Sequence, residues 1–239
     1  MFCHAYLRLN FMIQRCNTYK EIMKTKKNLI LLASSITSLI SILYFLSYIS
    51  FRGGMDGDMR FMRWYQSSFH IWIWDKSMEI ISVVGNELNW GIAMLFTVGI
   101  CLAFRKWLAA LLVLSSGGAF VANSILKQLI HRPRPTAAEV QIIGDKNSSF
   151  SFPSGHVTSY VALFGIIFVL SEIYVKRVWL KRTVQAISVF LMLTVGLSRM
   201  TLGMHWPSDV GAGYLLGSIF LLIALPSFFF LRSRARENT

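Results

Sequence analysis

Long stretches of this chain carry no charged side chain: Leu29–Ser50, Trp107–Leu126, Val157–Ser171, Thr183–Ser198 and Val210–Leu231. A helix rises about 1.5 Å per residue, so roughly 20 apolar residues match the hydrocarbon thickness of a bilayer. Lipid offers no water to the backbone, so each such run must satisfy its own N–H and C=O groups as a helix. A shorter run, Trp90–Phe104, fits either a span or a buried helix and can extend back toward Glu87. Counting it, the sequence predicts an all-α, polytopic membrane protein with six transmembrane helices. Hydrophobic residues make up 54% of the chain, more than a soluble domain of this length would gather into blocks.

The net charge of +13 raises nucleic acid as a partner, but the distribution of charge points to topology instead. With the N-terminus in the cytoplasm and six spans, the inner segments hold 15 Lys and Arg against three acids. The outer segments hold nine against eight. This is the positive-inside bias that orients membrane proteins. It predicts both termini in the cytoplasm: a tail over residues 1–27, a membrane domain over 28–231 and a basic tail over 232–239, with the cell (plasma) membrane as the expected location. Nucleic acid is not an expected partner. Oligomeric state is not encoded in any pattern here.

Cys3, Cys16 and Cys101 are odd in number and scattered, giving neither a disulfide framework nor a zinc spacing. The first apolar run follows Lys24, Lys26 and Lys27, is long for a signal core and lacks a small-residue cleavage site, so it reads as an uncleaved anchor. Met23, followed by Lys-Thr-Lys-Lys, resembles a natural start, which would make residues 1–22 an upstream extension or a poorly ordered tail. The first outer segment, Phe51–Asn89, opens on Gly53, Gly54 and Gly57, after which Asp58 can cap a helix. Phe61, Tyr65, Phe69 and Trp72 recur at helical intervals, as expected of an interfacial helix rich in aromatics. That stripe either packs on the bundle or shapes a lateral entrance for lipid.

Nearly all the unusual polar residues fall in three stretches. Lys127 and His131 share a helical face at the end of the third run, and Arg134 follows once Pro133 has ended the helix. Ser151–His156 lies directly ahead of the fourth run. There Ser154 can act as N-cap, Gly155 permits close backbone approach, and a helix N-terminus favours an anion. Ser198–Asp209 joins the fifth and sixth runs. Arg199 leaves an apolar helix there, and His205 lies four residues before Asp209, whose carboxylate can fix the imidazole tautomer. All three stretches fall on the outer side in the charge-derived topology. Two histidines and an aspartate could bind zinc, but Lys127, Arg134 and Arg199 converging on the same place would repel a divalent ion and hold phosphate.

These stretches resemble the signature motifs of the type 2 phosphatidic acid phosphatase superfamily: K-x6-R-P (Lys127 to Arg134 and Pro135), P-S-G-H (Pro153 to His156) and S-R-x5-H-x3-D (Ser198 to Asp209). The resemblance implies a metal-independent lipid phosphatase needing no cofactor. It implies His205 as the nucleophile that forms a phosphohistidine, Asp209 as its orienting partner and His156 as general acid. Lys127, Arg134, Ser154, Gly155 and Arg199 would form the phosphate-binding shell. His131 and Arg132 have no implied role. Phosphatidylglycerol phosphate, phosphatidic acid and undecaprenyl diphosphate are the substrates implied, with the site extracytoplasmic. Transfer of the phosphate to a lipid or sugar hydroxyl would use the same residues, and a transporter or anion-binding protein is the non-enzymatic alternative.

Overall fold

The computed structural model describes residues 55–69, 71–84, 86–144 and 149–237, with Thr37, Ser41 and Tyr44 before them. The chain divides into Met1–Ile40 and Ser41–Thr239, and the second unit carries the helices and the three polar stretches. Apart from those three positions, the run Leu29–Ser50 and the tail preceding it lie outside the described residues.

The described residues form seven helices and no strand. They are α1 (Met55–Phe69), α2 (Trp72–Val84), α3 (Glu87–Ala103), α4 (Trp107–Ile130), α5 (Gly155–Tyr174), α6 (Val178–Thr201) and α7 (Pro207–Glu237). Four are long and apolar enough to cross a bilayer: α4, α5, α6 and the Pro207–Ala235 part of α7. Trp72–Val83 and Leu88–Ala103 pass the same test as a pair bent by 56°. The spans leave Leu95, Phe96, Leu111, Val121, Phe190 and Leu193 exposed on their outer faces. An apolar periphery of that extent suits hydrocarbon and would be an aggregation liability in water.

Helix ends follow local chemistry more closely than the apolar runs do. Asn86 caps α3 by accepting a bond from the Asn89 N–H at 2.8 Å. α4 continues beyond Leu126 to Ile130 and stops where His131 turns left-handed (φ 52°), two residues ahead of Pro133. α6 takes in Lys181 and Arg182 near its start and Arg199 near its end. Charged side chains are admissible there because their heads reach the ends of the apolar slab.

α5 is the central helix. Val157 through Leu163 are buried without interruption, and α5 packs against α4, α6 and α7. Its contact with α7 is close because Gly217 has no side chain. A Cβ there would stand 2.7 Å from Val161 Cβ and 3.0 Å from the Thr158 carbonyl oxygen. Small residues serve this purpose between helices in membranes, where dispersion contacts replace the hydrophobic drive.

Two expectations for the first outer segment need correction. The aromatic stripe is not one face: α1 ends at Phe69 and Trp72 opens α2. Phe61, Phe69 and Trp72 are exposed, whereas Tyr65 is buried with its hydroxyl 3.0 Å from Thr201 Oγ1. Its tie to α6 makes Tyr65 a packing residue. Asp58 is not the cap of its own helix. It lies within α1, buried, and accepts from the Ser208 N–H at 3.1 Å, so it caps α7 from outside.

Gly217→Ala should lower the unfolding midpoint in detergent by the equivalent of about 1–3 kcal/mol through overpacking. Gly117→Ala, where a Cβ meets nothing within 4 Å, should be neutral or stabilising. Equal midpoints for the two variants would contradict this account of the α5–α7 contact.

Candidate functional site

The chain breaks after α4, before α5 and between α6 and α7 meet at one end of the bundle. Between them lies a cavity of about 270 Å³. Lys127, Arg134, Gly155, His156 and His205 line it, with Trp90 and Phe120 stacked at 5.8 Å as an aromatic wall. Residues from all three polar stretches therefore share one chamber.

His205 lies in the short turn between α6 and α7 and is 2% exposed. Its two ring nitrogens face different surroundings. Nε2 stands 3.4 Å from Arg134 Nη1, and Nδ1 stands 3.4 Å from Ser151 Oγ and 3.7 Å from Asp209 Oδ2. The expected direct bond to Asp209 is therefore too long, and the Ser151 hydroxyl stands between the two groups. Ser151 donates its only proton to Asp209 Oδ2, so its oxygen is left to accept from His205 Nδ1–H. That order leaves the Nε2 lone pair directed at Arg134 and the cavity. Burial, reinforced by the charges of Arg134, Lys127 and Arg199, holds the imidazole well below its ordinary pKa of 6.5. His205 is neutral at neutral pH.

The cations are held by backbone carbonyls. Lys127 donates from Nζ to the Phe150 carbonyl at 2.6 Å. Arg134 donates from Nε to Ser149 O at 2.7 Å and from Nη1 to Met204 O at 2.9 Å, pinning both flanking loops. Ser154 opens α5 with no side-chain capping bond, and its buried hydroxyl has no partner among the described residues. Its N–H is taken by the Asp209 carbonyl at 3.0 Å. A Cβ on Gly155 would stand 3.2 Å from Asn123 Oδ1, so glycine allows the α5 terminus to sit against α4. Arg199 is not among the residues lining the cavity. It is buried, gives Nη1 to Ser82 Oγ at 2.8 Å, and leaves Nε without a partner among the described residues.

Arg132, which the motifs leave without a role, is buried between two carboxylates. It is 4% exposed and forms ion pairs with Asp58 on α1 and Asp209 on α7. Ser208 Oγ accepts a further bond from its Nη1 at 2.7 Å. With Ser151 and the Trp206 N–H on Oδ2 and Arg132 on Oδ1, both Asp209 oxygens are occupied. One sequence signal bears on this. Arg132 and Arg134 each precede a proline, which biases both toward extended backbone. Residues two apart on such a segment share a side. No comparable signal marks Asp58 or Ser151. His131 stays exposed against Phe150, ring centroids 4.4 Å apart.

A membrane-embedded helical protein with a cationic, two-histidine chamber at one end of its spans is the class these features define. The chain belongs to the PAP2 superfamily, whose model matches residues 106–233. It is 34% identical over 130 residues to a decaprenylphosphoryl-5-phosphoribose phosphatase of Mycobacterium tuberculosis, covering 53% of this chain and 64% of that protein. It is 33% identical over 125 residues to phosphatidylglycerophosphatase B of Bacillus subtilis, covering 50% and 58%. Each match thus spans less than two thirds of the relative's own length. In fold it is similar to the crystal structure of a transmembrane PAP2 type phosphatidylglycerolphosphate phosphatase from Bacillus subtilis. The TM-score is 0.67 at 23% identity, with 86% of this chain and 98% of that chain covered.

Arg132→Ala leaves two carboxylates buried without their cation. Unfolding in detergent should register a loss of about 3–5 kcal/mol. Lys76→Ala, which removes the exposed Lys76–Glu79 pair, should cost at most about 1 kcal/mol. Comparable losses for the two would show that the buried cluster is not a structural anchor.

Proposed function

We propose that this protein is an integral membrane lipid phosphatase that releases phosphate through a phosphohistidine on His205. The observation that carries the reading is the convergence of His205, His156, Lys127 and Arg134 on one cavity. The Nε2 lone pair attacks phosphorus as the bond to the leaving oxygen breaks. His156 gives that oxygen a proton. Water, relieved of a proton by His156, then attacks phosphorus, and the P–N bond breaks to release phosphate and restore His205. Lys127 and Arg134 stabilise charge on the equatorial oxygens, with Arg199, the Ser154 hydroxyl and the α5 N-terminus at Gly155 as further donors. Asp209 orients the nucleophile through Ser151. No step calls for a metal.

The relatives named above act, by their names, on phosphorylated lipids, which supports a lipid phosphate monoester or diphosphate as substrate. Phosphatidylglycerol phosphate, phosphatidic acid and undecaprenyl diphosphate are the first to try. The charge bias supports an extracytoplasmic site in the plasma membrane, cytoplasmic termini and six spans, the first being Leu29–Ser50. The exposed aromatic face of α1 suits an interfacial helix.

Purified protein should release orthophosphate from at least one of these lipids with chelator present. His205→Ala should abolish release. Ser151→Ala should lower kcat by about 10- to 100-fold with KM nearly unchanged, because it affects the orientation of the nucleophile and not the holding of phosphate. Activity lost with chelator, or intact in His205→Ala, would overturn the reading. Label transferred to another lipid instead of released would mark a phosphotransferase.

The pH dependence follows from the lowered pKa of His205. A depressed pKa keeps the free base of His205 available as pH falls, so the acid-side loss of phosphoenzyme formation should be centred below pH 6.5, while any alkaline-side loss follows deprotonation of the general acid His156. Acid-quench trapping of labelled enzyme across pH checks this, and an acid-side decline centred at or above that value would contradict it.

A further inference from the structure

A second recess lies at the far end of the same helices. α4 begins beside it at Trp107 and meets the phosphate chamber from Phe120 to Lys127, about 20–30 Å further along the helix. The recess is a groove of about 600 Å³ between α3, α5 and α6, walled by Ile100, Cys101, Phe104, Leu170, Leu180 and Val184. Its lining is apolar except at one end, where Lys106, Lys176 and Arg177 gather. Tyr174 lies among them, with Lys106 Nζ 5.5 Å from its ring centroid and Arg232 5.3 Å from it. Glu172 is the acid nearest in sequence, and it is taken by Lys181 and Gln185, each at 2.9 Å. Among the described residues, Lys106, Lys176, Arg177 and Arg232 form no ion pair.

We propose that this groove binds an anionic phospholipid, with an acyl chain along the apolar wall and the headgroup phosphate among Lys106, Lys176 and Arg177. Positive charge at a helix-bundle end orients a membrane protein without any bound lipid. What marks a site here is the joining of cations to a chain-sized apolar recess. Basic pockets between helices on the cytoplasmic side take anionic headgroups in this way, and a lipid fits both halves at once. Trp179, 65% exposed at the same end, suits the headgroup layer. Binding here is independent of the phosphatase reading, because the ligand is held and not cleaved.

Cys101, half-buried in the groove wall, is a built-in reporter. The full chain carrying Cys3→Ser and Cys16→Ser would be purified in neutral detergent and alkylated with a maleimide. Added phosphatidylglycerol should slow alkylation of Cys101 about tenfold, and phosphatidylcholine of the same chain length should do little. The triple variant Lys106→Gln, Lys176→Gln, Arg177→Gln should lose the protection while alkylating at the parent rate without lipid. If the triple variant does not fold, Lys176→Gln alone, in the exposed turn between α5 and α6, should lose about threefold. Equal protection by both lipids would overturn the proposal, as would protection that survives loss of the cations. So would full protection before lipid is added, which would place another segment of this chain in the groove. Protection by inorganic phosphate alone would mark a free-anion site and overturn it as well.

Discussion

The buried guanidinium of Arg132 holds the functional end of this molecule together. A charge taken out of water is tolerated only when it is paired and hydrogen-bonded, so its two carboxylate partners must stay where they are. One is Asp58 on α1 and the other Asp209 on α7. The pairing ties three remote parts of the chain to one point. Ser208 bridges Asp58 and Arg132, giving its N–H to the carboxylate and accepting from the guanidinium. The same cluster fixes Asp209, and through Ser151 it sets the tautomer and aim of His205. Anchoring and site geometry are thus one set of bonds.

The spans explain why such a cluster can exist only where it does. Charged and hydroxyl groups are costly within hydrocarbon, and here they collect where α4 ends, α5 begins and the α6–α7 turn passes between them. α5 carries little chemistry along its length but is the axis on which the others pack. Its N-terminus meets α4 across Gly155, and its middle meets α7 across Gly217. Membership of the PAP2 superfamily accords with this plan, since the matched region, residues 106–233, is the set of helices that delivers the three polar stretches.

Much of the plan was legible in the chain itself, for a definite reason. Charge-free runs of span length leave the backbone no alternative to helix, so α4 to α7 could be anticipated and only their ends moved. The ends moved because a helix stops at a cap or turn and not where its apolar run stops, so Lys127, Lys181 and Arg199 all fall within helices. The first outer segment was the least legible part. Its aromatic periodicity suggested a single face, but periodicity records spacing and not burial. Tyr65 turned inward to Thr201 while its neighbours on the stripe stayed exposed.

The same division runs through the site. Sequence alone grouped Lys127, Arg134, Ser154, Gly155, His156, Arg199, His205 and Asp209, because spacing on helix ends and a basic, histidine-containing pattern are local properties of the chain; of these, Lys127, Arg134, Gly155, His156 and His205 line the cavity. It could not supply Arg132 with partners, insert Ser151 between His205 and Asp209, or turn Asp58 into the cap of a helix 150 residues away. Those pairings are set by which buried polar groups meet once the helices pack. That depends on helix rotation and on close approaches such as Gly217 against Val161, which no local pattern carries. The sequence determined that this chain spans a membrane and gathers its cations and histidines at its helix ends; the tertiary structure alone decided which of those charges hold the fold and which face the cavity.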